Sequence, residues 1–318
     1  MSRVAAIDCG TNSIRLLIAD VTVRDDGTAW LRDVYREMRV VRLGQGVDAS
    51  GMLAPEALAR TKDALRDYAT MAVRKGVESA RMVATSATRD AANRDEFFAM
   101  TREVLGAEAE VITGDEEARL SFTGAVGDLD SDQGPYLVAD VGGGSTELVL
   151  GDWDGSRATV RAARSVDVGC VRLTERCLHS DPPTAEEVAN AERFATETLA
   201  RAFDAVPVAE AGTWVGVAGT VTTLAAVSMG LGTYDPERIH HATLSLEQVR
   251  QTCARLLAMS HAERTKVAAV HPGRVDVIGG GAIVVRALAE QLAQRAGITD
   301  MLASEHDILD GIALSLVG

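Results

Sequence analysis

Glu117 stands in the stretch ITGDEEARL and Glu147 in DVGGGSTELVL, while Asp8 and Asp140 each close an apolar run just before a glycine-containing turn. Carboxylates so placed can hold a divalent cation or take a proton from water. In the first stretch, Thr113 and Glu116 have the Ser/Thr-x-x-Glu spacing of a capping box, which commits Glu116 to backbone donors. Glu117 is left out of the cap and points about 100° further round the helix. It is therefore the member of the pair suited to chemistry. Both acids also suit a first helical turn as solvated groups favoured by the dipole, so this segment alone leaves the choice open.

The two aspartates belong to an internal repeat. Setting VAAIDCGTNSIRLLI (4–18) above LVADVGGGSTELVL (137–150) aligns Asp8 with Asp140, Gly10 with Gly142, Ser13 with Ser145 and Leu16 with Leu148. Each copy reads as a hairpin whose tight turn is rich in backbone and poor in side chain. Glycine lets backbone N–H groups approach an anion closely, and a hydroxyl adds a donor. Gly10, Thr11, Asn12 and Ser13 in one turn, and Gly142, Gly143, Gly144, Ser145 and Thr146 in the other, are thus candidate phosphate contacts. An aspartate beside a phosphate is intelligible if a divalent cation lies between them. Two such turns predict duplicated domains facing each other over one polyanion. The copies differ where Arg15 stands opposite Glu147.

Further positions suit anions. Ala218, Gly219 and Thr220 form a turn opening a helix, where backbone donors and the Thr220 hydroxyl can hold a phosphate. Gly279, Gly280 and Gly281 read similarly. Arg89 in TSATRD is a candidate phosphate clamp by virtue of its planar fork, and Arg39 and Arg42 are candidates for a basic rim. The adjacent His240 and His241 are poorly arranged for one metal on a strand and read as structural. Cys9, Cys170, Cys177 and Cys253 match no zinc spacing and read as ordinary thiols.

The elements that must position these groups alternate between strand and helix, the pattern of an α/β protein with layered sheets. Helices are predicted over 55–75, with Pro55 in the first turn and Gly76 past the end, and over 91–106, with Asn93 and Glu96 spaced as a capping box. Strands are predicted over 80–90 and 157–169. Residues 109–126 and 212–227 each read as strand, turn and helix, 276–292 as another such unit, and 182–203 and 305–317 as helices. The segment 127–135 is the candidate hinge.

With 46 acidic against 32 basic side chains the net charge is −14, which disfavours nucleic acid as a partner. No run of 18 apolar residues occurs, so no membrane span is expected, and the N-terminus lacks a signal-peptide pattern. A cytoplasmic location is the expectation.

Taken in order, IDCGTNSIRLLI, TSATRDAANRDEF, ITGDEEARLSFTGA, DVGGGSTELVLG, DVGCVRLTER, AGTVTTLAA and GGGAIVV resemble the exopolyphosphatase/guanosine pentaphosphate phosphohydrolase (Ppx/GppA) family across nearly the whole chain. The resemblance implies two actin-like ATPase domains (the ribonuclease H-like class) flanking a cleft. It assigns 1–126 plus 299–318 to the first domain and 127–298 to the second. It implies hydrolysis of the terminal phosphoanhydride of inorganic polyphosphate, with guanosine pentaphosphate hydrolysis or non-catalytic sensing as alternatives. Glu117 resembles the base that activates water, and Glu147 the second essential carboxylate. Asp140 and Asp8 would hold Mg2+, for which Mn2+ could substitute, with K+ as an accompanying ion. Thr11, Asn12, Ser13, Gly143, Gly144, Ser145 and Arg89 would line the phosphate path. A homodimer is the assembly the resemblance suggests. The chain lacks the HD-type C-terminal region of long members, which points to shorter polyphosphate chains.

Overall fold

The computed structural model describes residues 1–24 and 27–317. β1 (Ser2–Cys9), β2 (Ser13–Val23) and β3 (Ala29–Val40) form an antiparallel meander. β4 (Ser79–Ala84) and β5 (Glu110–Val111) extend it in parallel, giving the order β3-β2-β1-β4-β5. A second meander, β6 (Tyr136–Val141), β7 (Thr146–Trp153) and β8 (Ala158–Val166), is extended by β9 (Thr213–Val217), β10 (Thr243–Ser245) and β11 (Asp300–Ala303) in the order β10-β11-β9-β6-β7-β8. Apart from β10, the second sheet repeats the first strand for strand. The repeat read in two hairpins thus runs through both sheets.

In the first half, α1 (Val47–Ser50) and α2 (Pro55–Lys75) precede β4, and α3 (Ser86–Asp90) and α4 (Arg94–Leu105) follow it. α5 (Gly114–Val126) leads from β5 towards the second sheet. α6 (Cys170–Cys177) and α7 (Ala185–Ala205) separate β8 from β9; α8 (Ala218–Ser228) and α9 (Pro236–Ile239) precede β10. α10 (Leu246–Ala258), α11 (His261–Arg264) and α12 (Ile278–Ala296) lie between β10 and β11, and α13 (Ile308–Leu314) closes the chain.

Alternation along the strands divides the core into layers. On the first sheet Ile7, Ile14 and Leu16 pack with Leu65 and Tyr68 of α2 and Phe97 of α4, while Val4, Ala6 and Leu17 face Ile308 and Ile312 of α13. On the second, Leu137 and Ala139 meet the α7, α8, α10 and α12 layer, and Tyr136 and Val138 face Ala118 and Phe122 of α5. α5 and α13 therefore lie between the sheets and pack on each other. Gly124 and Gly311 permit the contact: a Cβ at Gly124 would fall 1.8 Å from the Asp307 carbonyl oxygen, and one at Gly311 2.0 Å from that of Leu120.

Several expectations need correction. The triplet Gly279–Gly281 opens no turn; it lies inside the buried α12, with no strand before it. A Cβ on Gly280 would meet Cys170 O at 2.6 Å, and one on Gly281 the Thr220 side chain at 2.5 Å, so these glycines serve helix packing. Asn93 does not cap α4; its carboxamide pairs with the backbone of Leu53 at 2.8 and 3.0 Å. The strand expected over 80–90 ends at Ala84 and turns into α3. β11, which falls in the stretch expected to return to the first domain, pairs with β9 in the second sheet. The helix over 55–75 has its predicted ends, Pro55 in the first turn and Gly76 at φ 70° accepting the left-handed exit. No helix among the described residues is long and apolar enough to cross a membrane.

Candidate active site

The two hairpins are superimposable in their local chemistry. In the first, Gly10 N donates to Ser13 O (3.0 Å) and Asp8 pairs across the ladder with Arg15; in the second, Gly142 N donates to Ser145 O (3.1 Å) and Asp140 pairs with Glu147. The turns meet each other. A Cβ on Gly143 would lie 2.8 Å from the Thr11 side chain, and one on Gly144 2.6 Å from the Ser86 hydroxyl. Side chains at these two positions would close the gap between the turns. A cavity of about 80 Å³ remains, lined by both turns, Asp8, Glu117, Asp140 and the start of α8.

Glu117 reaches this cavity from the first turn of α5. Thr113 caps the helix by accepting from Glu116 N (3.2 Å), but Glu116 does not complete the box; its carboxylate pairs with Arg81 at 2.7 Å. Glu117, the other acid, turns inward and is 8% exposed. Glu147 is 1% exposed and accepts a hydrogen bond from Ser165 Oγ (2.6 Å), while Asp140 accepts one from Ser121 Oγ (2.6 Å).

So many buried carboxyls in one place resist ionisation. Burial, reinforced by the charge of Glu147 and only partly opposed by Arg89, holds the Glu117 carboxyl well above the usual range. Burial and the neighbouring Asp140 push Glu147 up to about 8. Asp140 is pushed up to about 6 by burial and then by Asp307. Burial also raises Asp8, against the pull of Arg15, which donates to Asp8 Oδ2 from Nε (2.9 Å) and Nη2 (2.7 Å). Arg15 also pairs with Asp307 at the start of α13. Ionised together, these carboxylates would repel one another and a bare phosphate alike, and a bound cation is what would relieve both.

Gly10, Thr11, Asn12, Ser13, Gly142, Gly143, Ser145, Gly219 and Thr220 all line the cavity with Asp8, Glu117 and Asp140. Other predicted residues lie elsewhere. Gly144 backs the turn from the side of α6, and the Thr146 hydroxyl donates to Val168 O (2.6 Å) away from the cavity. Arg89 does not line the cavity; its Nη1 donates to Ile112 O (3.0 Å) and Glu117 Oε2 (3.2 Å), which holds it against a carboxylate. The expected basic rim is absorbed into ion pairs, Arg39 with Glu37 and Asp67 and Arg42 with Asp276.

Ser86, Ser121, Ser165, Arg274 and Asp307 were not among the predicted site residues. Asp307 had a local sign, since it caps α13 in a capping box with Asp310; Ser121 and Ser165 meet their partners only through folding. Arg274 lines the cavity and also a neighbouring one of about 400 Å³, whose walls include Met38, Tyr234, Ala269, Val270 and Pro272. The backbone of Ala218, at the junction of the two, has φ 68°, strained for a residue bearing a Cβ.

On the far side of the turns, α6 is tied to the first half. Arg172 donates from Nε to Gly144 O (2.7 Å) and pairs with Asp48 and Asp90; Arg176 also pairs with Asp48, and Gly46 N donates to Glu175 at 3.1 Å.

The chain is similar to known proteins along its whole length. It is 58% identical to Exopolyphosphatase 2 of Mycobacterium tuberculosis, over 100% of this chain and 99% of that protein. A solved exopolyphosphatase-like protein is 44% identical with a TM-score of 0.93, covering 99% of this chain and 97% of its own. The crystal structure of an Aquifex aeolicus Ppx/GppA family member is 31% identical with a TM-score of 0.79, again covering 99% and 97%. The two-sheet architecture is that of the actin-like fold. The model of the Ppx/GppA phosphatase family matches residues 21–316, and the chain belongs to that family.

Proposed function

We propose that this protein is an exopolyphosphatase that hydrolyses the terminal phosphoanhydride of inorganic polyphosphate. The observation that carries the reading is the burial of Glu117 beside Glu147 and Asp140, at the point where two backbone-lined turns converge. In its ionised form, which Arg89 favours against the effect of burial, Glu117 takes a proton from water as the water oxygen bonds to the terminal phosphorus; the bridging P–O bond breaks, releasing orthophosphate and a chain one unit shorter. Arg89 holds the Glu117 carboxylate in place, and Ser165 does the same for Glu147. The N–H groups of the two turns and the Thr11 and Ser13 hydroxyls take the phosphate oxygens.

The donor set fits a hard divalent cation. Asp8 Oδ1 is buried with no hydrogen-bond partner among the described residues, a costly state for a carboxylate oxygen unless something binds there. Asp8 and Asp140 would hold Mg2+, which when bound neutralises charge on the phosphate oxygens. We assign the two units of the fold to 1–126 with α13, and 127 to about 303.

Glu117→Ala should lower phosphate release from polyphosphate with Mg2+ by roughly 10²- to 10⁴-fold, the usual worth of a general base, with circular dichroism unchanged. Near-normal turnover would remove Glu117 from the role. A second reading, guanosine pentaphosphate as substrate, is favoured by the neighbouring 400 Å³ cavity with apolar walls, which suits an organic group better than a polyanion. Phosphate release measured side by side from short polyphosphate, long polyphosphate and guanosine pentaphosphate separates the two.

A further inference from the structure

Away from the phosphate cavity, three polar side chains from distant parts of the chain converge. Asp128 follows α5 by two residues, His240 follows α9, and His306 precedes α13. Asp128 Oδ2 lies 2.7 Å from His240 Nε2 and 3.2 Å from His306 Nδ1, and the three potential ligand atoms all fall within 4.8 Å of one another. The rings of His240 and His306 have centroids 4.4 Å apart, and His241 stacks on His240 at 3.8 Å with its Nε2 3.6 Å from Asp128 Oδ1. None of the three lines either of the two cavities. All keep a path to solvent, with side-chain exposures of 37%, 22% and 35%.

We propose that Asp128, His240 and His306 form a binding site for a divalent transition-metal ion such as Zn2+. Two imidazole nitrogens and one carboxylate oxygen are the donors that borderline metals select, and Mg2+, which prefers oxygen, discriminates against them. Three protein ligands leave one tetrahedral position for water or for His241. The two separations from Asp128 Oδ2, 2.7 and 3.2 Å, are a little short of the roughly 3.4 Å between tetrahedral ligands about 2.0–2.1 Å from zinc, so a small outward shift would admit the ion. Entry of the ion has one visible cost. Glu305 N donates to His240 Nδ1 at 3.2 Å, so coordination through Nε2 moves the ring proton to Nδ1 and gives up that hydrogen bond. The ion joins the end of α5, the helix bearing Glu117, to the segment entering α13. Its consequence is to stiffen the connection between the two sheets. Because it is separate from the phosphate cavity, this site stands or falls independently of the proposed activity.

The test uses the full chain stripped with a chelator and kept in millimolar Mg2+, titrated with Zn2+ by calorimetry and with Co2+ by its visible absorption. One ion per chain is expected, with tetrahedral cobalt bands and a thermal midpoint raised by Zn2+. His240→Ala and His306→Ala should each weaken binding by roughly a hundredfold, in line with the sensitivity of metal sites to their supporting residues, while Asp140→Asn, in the phosphate cavity, leaves it unchanged. His240→Gln and far-ultraviolet circular dichroism separate loss of the site from loss of the fold. Failure to bind, or equal binding by the wild type and both alanine variants, overturns the proposal and leaves the cluster an ion-paired bridge.

Discussion

Gly124→Ala should be among the most damaging small substitutions in this protein. The added Cβ would lie 1.8 Å from the Asp307 carbonyl oxygen, 2.7 Å from Gly311 N and 2.8 Å from Asp307 C. All three are backbone atoms, so no rotamer change relieves the overlap. Reaching even a tight 3.0 Å separation requires α5 and α13 to part by about 1.2 Å, a distortion at or beyond the upper end of core overpacking, about 3 kcal/mol or more. That corresponds to a fall in Tm of about 4 °C or more for a chain of this size. Movement of Asp307 also disturbs Arg15, and through it Asp8, so phosphate release should fall with stability. Gly127→Ala is the matched control: its nearest contact is 3.8 Å away and its φ is −61°, so any change is small and favourable, about 0.5 kcal/mol. Thermal and urea unfolding of both variants decide the matter. If Gly124→Ala is within about 0.5 kcal/mol of the control, a span covering ordinary surface substitutions, the close crossing of α5 and α13 is not as described.

Three further outcomes are expected. Ala218→Gly should raise stability by about 1 kcal/mol by removing the penalty of a Cβ at positive φ; an unchanged or lowered midpoint of thermal unfolding refutes the strain. Arg172→Ala should raise KM for polyphosphate by about tenfold, about 1.4 kcal/mol, because the second turn loses its tie to Asp48 and Asp90; an unaltered KM would separate that tie from substrate binding. Asp20, buried between Arg3 and Arg32, is held down to about 2 by their hydrogen bonds. Its contribution is present above the ordinary aspartate value near pH 3.8 and is lost as pH falls towards 2. Arg32 is well exposed, so about 1 kcal/mol remains after screening. Asp20→Asn should lose that amount at neutral pH and show a correspondingly flatter decline in stability through the same acid range in urea titrations.

The parts of the site that could be read from sequence are those whose chemistry is local. The duplicated Asp-turn-hydroxyl pattern depends on neighbouring residues, and both turns close with the same Gly-to-Ser hydrogen bond. The inward direction of Glu117 followed from Thr113 and Glu116, although only half of the predicted box forms and Arg81 takes the rest. Where partners are remote, the sequence was silent or misleading. A guanidinium such as Arg89 suits phosphate in any survey of residue types, and only the fold brings it to Glu117. The glycines at 279–281 look like a turn in one dimension, and the reason for Gly280 and Gly281 lies in Cys170, Thr174 and Thr220, more than fifty residues away in every case. Asn93 had the spacing of a cap, but the Leu53 backbone offered it two hydrogen bonds. His240 read as structural beside His241 because its companions, Asp128 and His306, are distant in the chain.

The ladder partners Asp8–Arg15 and Asp140–Glu147 carry a consequence for direction. Two halves built to one plan would offer a phosphate chain two equivalent ways of lying between them, head to tail or tail to head. Arginine in one half and glutamate in the other abolish that equivalence. Beside Asp8 the ladder partner is a cation and beside Asp140 a second carboxyl, so the two ends of a bound chain would meet different charge. Among the differences between the two hairpins, the exchange of arginine for glutamate thus gives a doubled scaffold a direction.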